Sequence, residues 1–124
     1  MKVKNVKITV KPHKVVMREF AIALGKAMRG EEVEPHFEVS FTDLDTLRKV
    51  LTDKRMELMH AIKQHSPDSI YELAKIVKRD LKSVNDDLQI LERSGLISLD
   101  STKEGRQRVK PKLEFEKLNV EIAY

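Results

Sequence analysis

The chain has 124 residues, of which 35% are charged and 5% are aromatic, and its formal net charge is +4. This length suits one compact domain or one domain with an extension, and so low an aromatic content is unusual for a β-sandwich. The lack of cysteine excludes disulfides, thiolate catalysis and cysteine-bound zinc. No apolar run has the length of a signal peptide or a membrane span, so we expect a cytoplasmic protein without membrane contact.

The first part of the chain predicts a strand, a helix and a second strand. Apolar and polar residues alternate over 6–10, as they do in a half-exposed strand. Apolar residues at helical spacing then predict an amphipathic helix over about 14–29, which Gly30 ends. Alternation returns over 37–41 and predicts the second strand.

Two helices are expected to follow. Thr42 or Asp43 caps a short helix that carries apolar residues up to Leu51. Thr52 caps the next helix, which we expect over 53–65.

Residues 69–99 are the most informative stretch, because they predict two helices joined by a tight turn. Ser69 and Glu72 form the Ser-x-x-Glu pattern of a capping box, which predicts a helix start at residue 70. Residues 78–80 form the turn, and Asp80 is the expected cap of a second helix that ends at Gly95. This order of elements is that of a helix-turn-helix motif. The residues that the second helix is expected to bury are Leu81, Val84, Leu88 and Leu91.

The last third predicts strands. Leu96, Ile97 and Leu99 begin a strand that a polar turn over 101–105 ends, but Pro111 leaves the return strand uncertain. Residues 118–124 alternate as a final strand. A final strand needs a partner, and the N-terminal strands of the same or another subunit are candidates.

Together these elements predict an α+β fold, a winged helix-turn-helix with an N-terminal β-α-β extension. Residues 1–52 would form the extension, which is a candidate dimerisation lobe because its short strands need edge partners. Residues 53–124 would form the DNA-binding domain and its C-terminal strand.

The outward face of the second helix carries side chains suited to DNA. Lys, Ser, Asn and Gln reach base edges or phosphates from such a helix, and its first turn points at the bases. Basic residues crowd the preceding turn and the hairpin after the helix, and Ser69 stands at a helix N-terminus that favours an anion. The predicted DNA-binding residues are Ser69, Lys78, Arg79, Lys82, Ser83, Asn85, Asp86, Gln89, Lys103, Arg106, Gln107 and Arg108.

Two adjacent acids on this helix have different expected roles. Asp86 lies at the centre of the outward face, where phosphate repels a carboxylate. There it either accepts a hydrogen bond from cytosine N4 or is held by Lys82 or Arg93. Asp87 lies nearer the core, so we expect it to make a structural hydrogen bond or ion pair.

The sequence carries no enzyme signature. Its four histidines are scattered without carboxylates at metal-ligand spacing, and it has neither a glycine-rich phosphate loop nor a nucleophile elbow. We therefore expect no catalytic activity, no metal and no cofactor.

Several short segments from Phe41 onward also follow a family pattern. They are Phe41, Leu51-Thr52-Asp53-Lys54-Arg55, Ser69-Ile70-Tyr71-Glu72-Leu73-Ala74, Arg79-Asp80-Leu81-Lys82-Ser83-Val84, Asp87-Leu88, Gly95-Leu96-Ile97 and Val120-Glu121-Ile122. In these segments the chain resembles the predicted MarR-like winged-helix regulators of archaea and bacteria. The resemblance implies DNA binding as a dimer and transcriptional control, and some such relatives look like partners of small toxins. The chain departs from the pattern at Asn85-Asp86, where a more basic pair is expected.

We expect a sequence-specific regulator, a repressor, that binds double-stranded DNA as a homodimer on a pseudo-palindromic site. One alternative, from the resemblance, is an antitoxin that binds a small toxin and autoregulates its operon. Another is a protein-interaction module without DNA binding, which Asp86 and the apolar Ile90 on the same helix favour.

Overall fold

The computed structural model describes residues 5–32, 38–102 and 108–123, which form five helices and five strands of a mixed α+β fold. The predicted elements before residue 95 are confirmed to within one or two residues. In chain order the elements are β1 (Asn5–Val10), α1 (His13–Met28), β2 (Glu38–Phe41), α2 (Leu44–Val50), α3 (Asp53–His65), α4 (Ile70–Val77), α5 (Leu81–Arg93), β3 (Ser98–Thr102), β4 (Arg108–Lys112) and β5 (Lys117–Ile122).

The first sheet is parallel and joins the two ends of the chain. Its strand order is β2-β1-β5, and Ile8 of β1 lies between Val39 of β2 and Val120 of β5. The final strand therefore finds its partner in the same chain, which was one of the two predicted alternatives. Because β5 pairs with β1, this sheet contains strands from both sides of residue 52. The predicted domain boundary at residue 52 stays a prediction.

The second sheet is the antiparallel pair β3 and β4, in which Leu99 lies opposite Pro111. The strand continues through Pro111, because each strand of a two-stranded sheet has an edge where a missing N–H needs no partner. β3 begins at Ser98, later than expected, and Leu96 and Ile97 are buried in the segment before it.

The core is one buried cluster that includes side chains of β1 and of α3, α4 and α5, which pack together. One residue in three or four along each helix is buried, as expected of helices with one covered face. A single cluster of buried side chains includes Val6, Ile8, Val10, Leu58, Ile62, Leu73, Val84, Leu88 and Leu91.

Helix α1 differs from the other helices, because none of its residues is buried. The predicted helix is present, but its large apolar side chains face solvent: Phe20 is 61% exposed and Met28 is 80% exposed. Met17, Phe20, Leu24 and Met28 follow one another at helical spacing, and we call them the α1 stripe. No described helix has the length and apolar content to cross a membrane.

Candidate nucleic-acid interface

Side-chain caps fix where α4 begins. The Ser69 hydroxyl accepts a hydrogen bond from the Glu72 backbone N–H at 3.0 Å. The Glu72 carboxylate in turn accepts from the backbone N–H of Asp68 at 2.8 Å. The predicted cap is thus confirmed, although the glutamate bonds the N–H one residue before the one that a capping box uses.

A tight turn connects α4 to α5. Lys78 has a left-handed backbone with φ of 58° and ends α4, and the Arg79 N–H donates to the Ala74 carbonyl. Asp80 then caps α5, because its carboxylate accepts from the Ser83 N–H at 2.9 Å. The same hydrogen bond holds the pKa of Asp80 below its usual value. The prediction of Asp80 as N-cap is confirmed.

A charged cluster, which we call the Asp87 cluster, fixes α5 against the turn and α3. The Asp87 carboxylate accepts from Arg55 Nε at 3.1 Å and from Arg79 Nη2 at 2.8 Å. All three side chains are largely covered, with 14%, 15% and 20% of Arg55, Asp87 and Arg79 exposed. Arg55 also donates to the carbonyls of Lys49 and Val50 at the end of α2. Asp87 therefore has the structural role expected of it.

The position of Arg79 differs from the phosphate contact that the sequence predicted. Its guanidinium turns inward to Asp87, and its Nη1 is buried with no hydrogen-bond partner in the described part of the chain. A basic residue in a turn is a reasonable phosphate ligand on composition alone. In this fold the carboxylate of Asp87 on α5 binds the Arg79 guanidinium and directs it into the Asp87 cluster.

An open groove of about 910 Å³ lies between the start of α4, the first turns of α5 and the start of β4. It brings together four of the predicted residues that the sequence spaces far apart, Ser69, Lys82, Asn85 and Arg108. Its other described lining residues are Ile70, Tyr71, Leu81 and Val109, so no described residue that lines it is acidic.

The expected burial of Leu81 is wrong, since 48% of this residue is exposed. Val84, Leu88 and Leu91 of the same predicted stripe are fully buried. Leu81 shares their side of the helix, but it is the first residue of α5 and lies at the groove. Helical periodicity gives the direction of a side chain and not whether a neighbour covers it at that level.

Tyr71 is a lining residue to which the sequence reasoning assigned no role. It is 59% exposed, and the Lys75 ammonium lies 4.5 Å from the centre of its ring. The two residues are four apart on one helix, so the spacing was a signal for a cation–π pair. This pair holds a positive charge beside the groove.

Charged side chains of both signs lie near the groove. Lys78, Lys82 and Arg108 are exposed. Lys110 and Lys112 lie 3.7 Å and 2.7 Å from carboxylate oxygens of Asp68 and Asp100. Asp86 is exposed and, among the described residues, makes no ion pair with Lys82 or Arg93. Its negative charge is therefore not neutralised on the outer side of α5.

The predicted residues not yet placed fall into two groups. Ser83 and Gln89 lie on α5 and, like Asn85, are half-buried. Lys103, Arg106 and Gln107 lie outside the described residues, so their predicted roles stay predictions.

The comparison with protein families covers most of these elements. The HVO_A0114 family model matches residues 50–120, from the last residue of α2 into β5. The matched residues include those that line the groove and the three side chains of the Asp87 cluster. β1, α1 and β2 lie outside the match, as does Lys49, whose carbonyl accepts from Arg55. No curated protein matches the chain. Because the family model covers more than half of the sequence, the chain belongs to the HVO_A0114 family.

Proposed function

We propose that this chain is a winged helix-turn-helix protein that binds double-stranded DNA and regulates transcription, like the MarR-like regulators it resembles. The observation that carries the proposal is the groove. Ser69, Lys82, Asn85 and Arg108 come from three separate elements and converge on one surface, and none of its described lining residues is acidic. The expected target is a pseudo-palindromic site, and repression would follow from blocking a promoter.

Each element has a part in this proposal. α5 is the helix that enters the major groove, since its first turn presents Lys82 and Asn85 to the open side. The amide of an asparagine there can donate to adenine N7 and accept from adenine N6–H, and a lysine binds phosphate or guanine. The N-terminus of α4, with Ser69, is suited to a backbone phosphate. The β3–β4 pair is the wing, and Arg108 begins its second strand, opposite Thr102 at the end of the first.

The Asp87 cluster supports the same role indirectly. A helix that reads bases must be held within a fraction of an ångström of its working position. The two arginines fix α5 to α3, to the turn and to the end of α2. This is the helix whose orientation DNA binding requires.

Two substitutions with a matched control test the proposal. Lys82→Ala should weaken binding to every sequence and reduce the salt slope by about one unit, because one phosphate contact is lost. Asn85→Ala should reduce only the preference for the specific site, by about 1–3 kcal/mol. Lys26→Ala removes the same charge from α1 and should leave both measurements unchanged. Equal behaviour of Lys82→Ala and Lys26→Ala would overturn the assignment of the groove.

A second candidate function is binding of a protein partner, such as the small toxin of an antitoxin pair. The α1 stripe favours it, because four large apolar side chains on one side of a helix are exposed. The unneutralised charge of Asp86 also opposes phosphate. Co-expression with small proteins encoded nearby tests this candidate. Phe20→Lys should release such a partner, and Lys82→Ala should retain it.

A further inference from the structure

We propose that two copies of the chain associate through β5, edge to edge and antiparallel, about a two-fold axis at Asn119. The sheet β2-β1-β5 would then continue into the sheet of the second copy. This inference rests on the proposed function for its biological meaning, because a pseudo-palindromic DNA site is bound by a dimer with two-fold symmetry. Its physical basis is separate and lies in the strand itself.

Within the described part of the chain, the outer edge of β5 is open. β5 is the last strand in the order β2-β1-β5, and no other described strand pairs with it. The Ala123 N–H donates to the Val10 carbonyl at 2.9 Å, so the odd-numbered residues of β5 turn their backbone groups towards β1. Because backbone groups alternate along a strand, those of Leu118, Val120 and Ile122 point to the open edge. An edge of this kind is a template for another strand.

The open backbone groups restrict how a second β5 can pair. In an antiparallel pair, residues whose backbone groups point across the interface must lie opposite one another. Around a two-fold axis this condition allows only registers in which even-numbered residues face even-numbered residues. Axes at Leu118, Asn119 and Val120 satisfy it.

Charge selects one of these registers. With Asn119 on the axis, Lys117 lies opposite Glu121 of the second copy, and the symmetric pair repeats the contact. Leu118 then lies opposite Val120, so the apolar side chains also meet. An axis at Leu118 or Val120 places Lys117 opposite Asn119 or Ala123 and loses both ion pairs. Opposite charges across a strand pair are favourable, and like charges are unfavourable.

The exposure of β5 agrees with pairing to β5 of a second copy. Val120 is 53% exposed and lies on the face of the sheet that carries the buried Val6 and Ile8. Leu118 of a second copy would cover it. Glu121 already contacts Lys7 at 2.9 Å across the sheet, so in the dimer it would lie between two lysines. β5 is therefore complementary to its own antiparallel copy in charge and in apolar pattern.

The test uses charge reversal and mixing of the full chain, measured by sedimentation equilibrium without DNA. Lys117→Glu places two glutamates opposite each other, and Glu121→Lys places two lysines opposite each other. Each should weaken self-association about tenfold or more. An equimolar mixture of the two variants restores both ion pairs and should form heterodimers as tightly as the wild type. Glu116→Lys makes the same change of charge as Glu121→Lys but faces Ile122, so it should have no effect.

Each outcome decides the proposal. A wild-type chain that stays monomeric, or a mixture that associates no better than its components, would overturn it. Glu121→Lys also loses the contact with Lys7, so thermal melting of this variant is measured as a control for folding. A folding defect alone would not restore association in the mixture. DNA binding is scored separately on a single half-site. Variants that are monomeric and still bind a half-site through Lys82 separate this inference from the proposed function.

Discussion

Removing the Asp87 carboxylate should lower the stability of the fold strongly. The side chain accepts two hydrogen bonds from arginines, at 3.1 Å and 2.8 Å, and only 15% of it is exposed. Hydrogen bonds to charged groups contribute about 1.5–3 kcal/mol each, and breaking a buried ion pair costs about 3–5 kcal/mol. In Asp87→Ala, Arg55 still donates hydrogen bonds to the carbonyls of Lys49 and Val50. We therefore expect the free energy of unfolding to fall by about 3 kcal/mol, near the lower limit of this range.

Urea unfolding measures this loss, and the adjacent residue supplies the control. Asp86→Ala removes the same group from the same helix, but Asp86 is exposed, so its effect should lie within about 0.5 kcal/mol. Asp87→Ala should shift the midpoint to lower urea with an unchanged slope. If both variants unfold at the wild-type midpoint, the Asp87 cluster does not hold α5 in place.

Three further predictions concern the groove and the first sheet. Asp86→Asn removes repulsion worth up to about 1 kcal/mol from nearby phosphate, so DNA affinity should rise about two- to fivefold in anisotropy titrations. Ser69→Ala removes the cap of α4 and should lower the free energy of unfolding by about 1 kcal/mol, whereas Ser69→Asp should keep the cap but weaken DNA binding. Hydrogen bonds from Lys11 and then Thr9 hold the pKa of Glu38 below its usual value. The stability from Glu38 is therefore present above its ordinary pKa and is lost as the pH falls through the folded pKa. Unfolding midpoints from pH 7 to about pH 3 should fall less steeply for Glu38→Gln than for the wild type.

Local chemistry predicted the helices of this chain well. Thr52, Ser69 and Asp80 each accept a hydrogen bond from a backbone N–H three residues later, as their positions before apolar runs indicated. These signals depend on residues close in sequence, so they do not need the rest of the fold. The alternation in β1 and β5 is equally local, although it did not decide which strands pair.

The features that were missed depend on distant contacts. Arg79 binds a carboxylate on the next helix, and 48% of Leu81 is exposed, but neither fact can be read from the residues beside them in the sequence. The exposure of the α1 stripe also depends on distant contacts. The apolar spacing over about 14–29 predicted the helix correctly, yet among the described residues no surface covers it. Asp87 was assigned correctly because its position near the core limited its possible roles.

Fluorescence anisotropy of the wild-type chain tests the central claim most directly. The probes are a duplex from the region upstream of its own gene and a shuffled duplex, each titrated over a salt series. The account predicts tight binding to the native duplex, weak binding to the shuffled one, and affinity that falls steeply as salt rises, because phosphate contacts release counterions. No binding to either duplex at low salt would contradict the account and direct the search to a protein partner at the α1 stripe.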